Sequence, residues 1–273
     1  MSPTGALERL LAKDKVIVFC AITTVTLCAG LYTVLGIGMQ MSALEMAGMA
    51  RAIGAPMEMA AAAEWSIGAV LVMFFMWWIM MIAMMTPSAA PTLLLFARLK
   101  RSASPMAANL WPAWLFLAGY LVTWAGFSAA AVLAQWALQK GAVLAPAMMA
   151  LKGTTMAGGF LVLVGAYQMT PIKNACLKQC QSPAQFITQH RRPGYGGAFV
   201  MGCHHGLFCL GCCWALMLLL FVGGVMNLWW IAGLALFVAL EKISGSRRWF
   251  PMISGAGLIG AGVLIATIGV QNG

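Results

Sequence analysis

Seven long segments of this chain are almost free of charged residues, and most are close to the length that crosses a lipid bilayer. A membrane-spanning helix needs about 20 apolar residues, because the hydrocarbon core is about 30 Å thick. Such segments predict a bundle of membrane helices, since a helix satisfies its own backbone hydrogen bonds. The segments are Val16–Gly38, Trp65–Thr86, Leu110–Leu138, Ala142–Gln168, Phe199–Gly223, Val225–Ala239 and Met252–Val270.

The composition agrees with an all-α membrane protein. Hydrophobic residues make up 62% of the chain and charged residues only 8%, whereas soluble domains carry about 25% charged residues. The net charge of +10 resembles that of nucleic-acid-binding proteins. The basic residues, however, lie at the ends of the apolar segments, where membrane topology places them. We therefore expect one integral membrane domain over residues 1–273, in contact with the lipid bilayer and without a nucleic-acid partner.

The basic residues also predict the orientation of the seven spans. Seven spans sort the connecting loops alternately onto two sides of the membrane. Thirteen basic residues fall on one side, only Arg51 and Lys140 fall on the other, and Lys152 lies inside the fourth segment. Cytoplasmic loops are the ones enriched in Lys and Arg. The pattern predicts a cytoplasmic N-terminus, an external C-terminus and a bacterial inner-membrane location. The thirteen basic residues on the cytoplasmic side are Arg9, Lys13, Lys15, Arg98, Lys100, Arg101, Lys173, Lys178, Arg191, Arg192, Lys242, Arg247 and Arg248.

Four of the eight cysteines and two of the three histidines lie between Cys203 and Cys213, at the start of the fifth segment. At 100° per residue, His205, Cys209 and Cys212 share one helical face, and Cys213 lies on a neighbouring stripe. Thiolate and imidazole are ligands that soft and borderline transition metals prefer. Cysteine also packs well as a small apolar residue. The concentration of six such residues in eleven positions favours metal or redox chemistry.

A second pair of cysteines precedes the fifth segment, at Cys176 and Cys180. On a helix these two thiols would share a face, and both are expected at the cytoplasmic surface near the start of the fifth span. The pair could complete a metal site, deliver a metal to it, or be incidental. Glu241, at the end of the sixth segment, could supply an oxygen ligand, although a charge at the membrane boundary is the simpler interpretation.

Methionine is also abundant, with 22 residues. Met73, Met76, Met80 and Met84 form a stripe along the second segment, and Met-x-Met pairs stand at Met39–Met41 and Met57–Met59. Thioethers select Cu(I) over harder ions, whereas zinc sites use Cys and His. The stripe could equally be packing, because methionine is a flexible apolar filler. We predict Cu(I) as the bound metal, with zinc as the alternative.

Several other chemistries lack their sequence signatures. The chain has no phosphate-binding glycine loop, no Ser-His-Asp arrangement and no Cys-x-x-Cys-His haem motif. Its six acidic residues form no clear pairs, which argues against a di-iron carboxylate site. Metal handling is therefore favoured over enzymatic catalysis.

Four segments of the chain resemble a bacterial family of predicted metal-binding integral membrane proteins, domain of unknown function 2182. The resemblance implies a metal site in the inner membrane formed by Cys176, Cys180, His205, Cys209, Cys212 and Cys213. Cys203 and His204 look like local additions. The resembling segments are Trp78–Pro91, Tyr120–Ser128, Tyr167–Cys180 and His205–Met217, continued by Val225–Leu228 and Leu240–Lys242.

Three functions remain open from the sequence. The first is binding of a soft metal, most simply copper, for transport, storage or delivery, with a membrane or soluble metallochaperone as partner. The second is a thiol redox module in which Cys209, Cys212 and Cys213 exchange disulfides with a partner. The third is a structural or assembly subunit of a larger membrane complex whose cysteines only pack.

Overall fold

A computed structural model of the chain describes residues 3–36, 43–48, 65–103, 110–145, 149–244 and 249–271. Most of these residues are helical. Two short strands, β1 (Leu144–Ala145) and β2 (Ala150–Leu151), pair in antiparallel orientation. The helices are α1 (Pro3–Leu35), α2 (Ala43–Gly48), α3 (Ile67–Ala103), α4 (Trp111–Lys140), α5 (Thr154–Gln168), α6 (Pro171–Gln181), α7 (Pro183–Gln189), α8 (Gly194–Leu218), α9 (Leu220–Gly223), α10 (Leu228–Ile243) and α11 (Trp249–Gln271).

Within the described residues, four helical stretches are long and apolar enough to cross a membrane. They are Ile67–Leu99, Trp111–Lys140, Gly194–Gly223 and Trp249–Ile268. A fifth span results if α5 and α6, which meet at an angle of 64°, are counted as one broken helix. The predicted all-helical class is confirmed, but this count is lower than the seven spans predicted from the sequence.

Three predicted segments account for the difference. The first is helical up to Leu35 as part of α1, but only Phe19–Leu35 has described side chains, and that part alone is shorter than a span. The fourth, predicted from Ala142, begins instead with the β1–β2 hairpin, and its helix starts only at Thr154. The sixth corresponds to α10, which has 16 residues. Hydropathy does not show where the backbone turns, so it predicted one helix where the fourth segment begins as a hairpin. The sixth segment was already short in the sequence, and α10 remains below the length of a span.

Helix α3 is longer than its predicted segment, which was expected to end at Thr86. The helix continues through Pro87 and Pro91 to Ala103. A proline removes one helical hydrogen bond, and neighbouring groups can compensate inside a membrane bundle. Near these prolines, the Met85 carbonyl accepts hydrogen bonds from Ser88 Oγ (2.7 Å) and from Tyr120 Oη (2.9 Å), and the second of these connects α4 to this part of α3.

Small residues allow two helix pairs to approach closely. Helices α4 and α8 meet at Gly119 and Gly202, where an added Cβ would collide with the Phe199 and Phe116 carbonyls respectively. Helices α5 and α11 meet similarly, and a Cβ on Gly262 would lie 2.6 Å from the Gly158 carbonyl oxygen. Glycine contacts of this kind are common between membrane helices. Lipid provides no hydrophobic driving force between helices, so they associate through close van der Waals packing, which small residues allow.

Hydrogen bonds fix the antiparallel register of α3 and α4. Trp65 Nε1, just before α3, donates to Gln139 Oε1 (2.9 Å), and Trp77 Nε1 donates to Gln135 Oε1 (2.9 Å). At the other end, Tyr120 reaches the Met85 carbonyl. The two helices therefore run side by side from one end of the bundle to the other, with the methionines of α3 facing α4 and the core.

A buried ion pair joins α6 to α10. Lys173 Nζ lies 2.7 Å from both carboxylate oxygens of Glu241, and the two residues are 0% and 1% exposed. Gln168 contacts both partners, donating to Glu241 Oε1 at 3.1 Å and accepting from Lys173. The interpretation of Glu241 as a metal ligand is thus wrong, because its carboxylate is occupied by Lys173. The pair holds α6, with its two cysteines, in place beside α8.

Candidate metal centre

The cysteines of α8 face the centre of the bundle. His205, Cys209, Cys212 and Cys213 are each 2% exposed or less. Spacings of three and four residues place these side chains on one side of the helix, as the sequence predicted. That side packs against α4 and α6. The α8 residues of the predicted site are therefore brought together in the protein interior.

The thiols of α8 converge on one backbone carbonyl. Cys212 Sγ and Cys213 Sγ donate to the Cys209 carbonyl oxygen at 3.0 and 2.9 Å. Cys213 Sγ also lies 3.9 Å from the Met85 thioether sulfur of α3. Three thiols and one thioether thus occupy a single region between α3, α4 and α8.

Helix α6 contributes a fourth thiol to this region. The Cys180 side chain is 8% exposed and close enough to interact with both Cys209 and Cys212. Cys176, one turn earlier on α6, is partly exposed and packs against the backbone of α8, where a Cβ on Gly211 would lie 2.6 Å from its sulfur. Of the predicted pair, Cys180 therefore belongs to the thiol cluster and Cys176 lies at its edge. We use "thiol cluster" below for Cys180, Cys209, Cys212 and Cys213.

Polar side chains surround Cys209. Lys242 Nζ donates to Cys209 Sγ (3.1 Å) and to Ser88 Oγ (2.7 Å). The Tyr120 hydroxyl lies 3.2 Å from the same sulfur. An ammonium group at this distance attracts negative charge on sulfur, and this attraction is strong where water is excluded. The surroundings of Cys209 therefore stabilise a thiolate, whereas a purely apolar helix interface would not.

His205 lies one helical turn before Cys209 and has an unpaired ring nitrogen. Its Nδ1 atom is buried and has no hydrogen-bond partner. The ring packs among Phe116, Tyr120 and Phe186, with centroid distances of 5.8, 5.9 and 4.9 Å. Buried polar atoms are nearly always paired, so an unpaired one calls for an explanation. A soft or borderline metal held by the thiol cluster would be such a partner.

The described residues do not form a preassembled ion site. Among them, no three His, Cys, Asp or Glu side chains are already arranged to hold a metal ion. The geometry agrees with this, because the thiols of Cys212 and Cys213 both donate to the Cys209 carbonyl oxygen, which occupies the point where they converge. Metal binding would require these thiols to rotate and to release their protons.

The remaining cysteines and histidines lie away from the thiol cluster. Cys20 and Cys28 are exposed on α1, and Cys203 is only partly buried on α8. His190 stacks on Phe186 at 4.9 Å, and its ring lies 5.9 Å from that of His204. The Met39–Met41 and Met57–Met59 pairs lie outside the described residues. These observations agree with the sequence-based separation of Cys203 and His204 from the site.

Sequence reasoning missed two residues that contact Cys209, namely Lys242 and Tyr120. Lys242 was interpreted only as a topological charge, and Tyr120 was given no role. A signal was present, because both lie in segments that carry the family resemblance, Leu240–Lys242 and Tyr120–Ser128. Their contact with Cys209 joins residues far apart in sequence, and helical periodicity cannot reveal such contacts.

Comparison with known families agrees with a soft-metal site. The family model PpoB2, described as a copper chaperone, matches residues 74–265, which include the thiol cluster and its surrounding residues. This chain belongs to the PpoB2 copper chaperone family. The match supports a metal-related family, as the resemblance described above implied. The family that matches is named PpoB2 and not domain of unknown function 2182. No curated protein and no solved structure matches the chain.

Proposed function

We propose that this PpoB2 family member is a membrane-embedded copper carrier that binds Cu(I) at the thiol cluster, assisted by His205 and Cys176. Copper is the cargo, taken from one partner and given to another. The observation that carries the proposal is the contact of four buried thiols from α6 and α8 beside the unpaired His205 Nδ1. Thiolate, thioether and imidazole are all good donors for Cu(I).

The charges around the thiol cluster favour Cu(I) over Zn²⁺. Cu(I) held by two thiolates carries one net negative charge, which the ammonium of Lys242 balances at 3.1 Å from Cys209 Sγ. Zn²⁺ held by four thiolates carries two negative charges, and unbalanced charge is costly in a low-dielectric interior. The Met85 sulfur beside Cys213 adds a donor that zinc sites seldom use.

The proposal includes a bacterial inner-membrane location with the N-terminus in the cytoplasm. The four long apolar helices support the membrane location. The orientation rests on the seven segments predicted from the sequence, because only with seven spans do the thirteen basic residues lie on one side. In this orientation helix α6, which carries Cys176 and Cys180, belongs to the cytoplasmic loop between the fourth and fifth predicted segments. A membrane or soluble metallochaperone could then pass copper first to Cys176, which is partly exposed, and the copper would move from Cys176 to the buried thiols.

The test is Cu(I) binding by detergent-purified protein under anaerobic, reducing conditions, with a Cu(I) chelator as competitor. Cys212→Ser and Cys209→Ser should each lower Cu(I) affinity by at least about 100-fold, since each removes a thiolate ligand. Cys203→Ser is the matched control, because it makes the same change on the same helix outside the cluster, and it should bind copper normally. Equal effects of the three substitutions would refute the assignment of the site.

The same samples separate the two other functions. A thiol redox module would show a reversible disulfide among Cys180, Cys209, Cys212 and Cys213 by mass spectrometry, with no bound copper. A purely structural subunit would show neither copper nor a disulfide. Zinc in a Cys/His shell with no copper under reducing conditions would refute the copper assignment alone.

A further inference from the structure

Gln135 of α4 is a buried amide whose hydrogen-bond partners are mostly sulfur atoms. It is 0% exposed and accepts a hydrogen bond from Trp77 Nε1 at 2.9 Å. Its amide nitrogen lies 3.2 Å from Met149 Sδ and 3.6 Å from Met73 Sδ. Thioether sulfur is a weak acceptor, so this amide is poorly compensated for its burial. Two thioethers from separate parts of the chain are thereby held around one point.

The backbone at Met149 is in an unusual conformation. Its φ angle is 51°, in the left-handed region, although the residue is not glycine. This conformation is unfavourable for an L-residue, because its Cβ crowds the following carbonyl oxygen. The side chain is nevertheless 4% exposed and directed to Gln135. Met149 directly precedes β2, so the hairpin turn brings its thioether to Gln135.

Buried methionines connect this place with the thiol cluster. Met76, Met80, Met81, Met84 and Met85 of α3 are all 4% exposed or less. They recur every turn of the helix, which is about 5 Å of rise. The last, Met85, lies 3.9 Å from Cys213 Sγ. The α3 thioethers therefore extend over about 18 Å between Met73 and Met85, at 1.5 Å per residue.

We propose that Met73 and Met149 form a second Cu(I) site, a thioether site near the start of α3 and about 18 Å along this helix from Met85 at the thiol cluster, and that the α3 methionines connect the two. This inference rests on the proposed function, in which Cu(I) is the cargo. Neutral thioethers bind Cu(I) more weakly than thiolates do, and they select it against harder cations. The second site is accordingly the weaker one and suits entry or exit of copper.

The test compares Cu(I) stoichiometry and affinity in the full-length protein and in Met73→Leu/Met149→Leu. The wild type should bind a second, weaker equivalent of Cu(I), which the double variant loses while it retains the tight equivalent. Either single substitution should weaken the second equivalent by about tenfold or more. Met201→Leu, the same change at a buried methionine packed with Phe116 and Phe186, is the matched control.

A second measurement does not depend on stoichiometry. Selenomethionine-labelled protein loaded with Cu(I) should show copper–selenium scattering at the copper X-ray absorption edge. The double variant should show much less of it, and the Met201 control should not change. Unchanged copper binding and scattering in the double variant would overturn the second site and leave Gln135 as a structural contact between helices.

The two proposals fail in different ways. If Cys209→Ser abolishes the tight equivalent and no second equivalent exists in the wild type, the thioether site is refuted and the thiol site stands. If Cys209→Ser changes nothing while Met73→Leu/Met149→Leu removes copper, the thiol site is refuted and the thioether site stands.

Discussion

Replacing Glu241 by glutamine should strongly destabilise the protein, because it leaves the Lys173 ammonium buried without a counter-charge. Both residues are at most 1% exposed, and Lys173 Nζ lies 2.7 Å from both carboxylate oxygens. Glutamine keeps the shape of the side chain, so the change isolates the charge. Breaking a buried ion pair from one side costs about 3–5 kcal/mol. Part of this cost is one of the two hydrogen bonds from Lys173, worth about 1.5–3 kcal/mol, because the glutamine amide nitrogen cannot accept it.

The assay is the free energy of unfolding of the purified protein in mixed micelles, measured by SDS titration. Glu241→Gln should lower it by about 3–5 kcal/mol. Lys178→Met, an exposed lysine on the same helix α6, is the control and should change it by about 0.5 kcal/mol or less. Since the pair positions α6, Glu241→Gln should also make Cys180 react faster with a maleimide.

The double variant Lys173→Met/Glu241→Gln provides the decisive comparison. Removing both charges eliminates the unpaired ion, so this variant should regain most of the stability lost in the single one. If Glu241→Gln lowers the free energy of unfolding by less than about 1 kcal/mol, the buried pair does not act as described. The same follows if the double variant loses as much as Glu241→Gln and Lys173→Met lose together.

Three further predictions follow from other contacts. Lys242→Met should lower Cu(I) affinity about tenfold or more in chelator competition, because it removes the counter-charge at Cys209. Lys242→Arg keeps the charge and should retain part of the affinity, so equal losses in the two variants would contradict the charge argument. Gly202→Ala should reduce unfolding free energy by about 1–3 kcal/mol or more, since its methyl group meets the Phe116 carbonyl, whereas Gly196→Ala has open space and should not. In folded protein, Cys176 should be alkylated faster than Cys212, because Cys176 is partly exposed on α6 and Cys212 is 1% exposed. Similar rates would show that the thiol cluster is open to solvent.

Local periodicity was sufficient to predict part of the candidate site. His205, Cys209 and Cys212 lie on one buried face because their spacing matches the helical repeat, which depends on nothing outside α8. The sequence did not distinguish Cys180, which reaches the thiol cluster, from Cys176 at its edge. That difference depends on how α6 rotates against α8, which the Lys173–Glu241 pair and the contact at Gly211 help to fix.

The sequence by itself determined the all-helical class, because long apolar segments in a chain with 8% charged residues leave few alternatives. The tertiary structure alone decided where those segments bend, which lysine pairs with Glu241, and which lysine reaches Cys209. Lys173 and Lys242 are both cationic residues at the ends of apolar segments, so charge and hydropathy treat them alike. Their different roles arise from contacts between helices distant in sequence, and such contacts are fixed only when the helices pack.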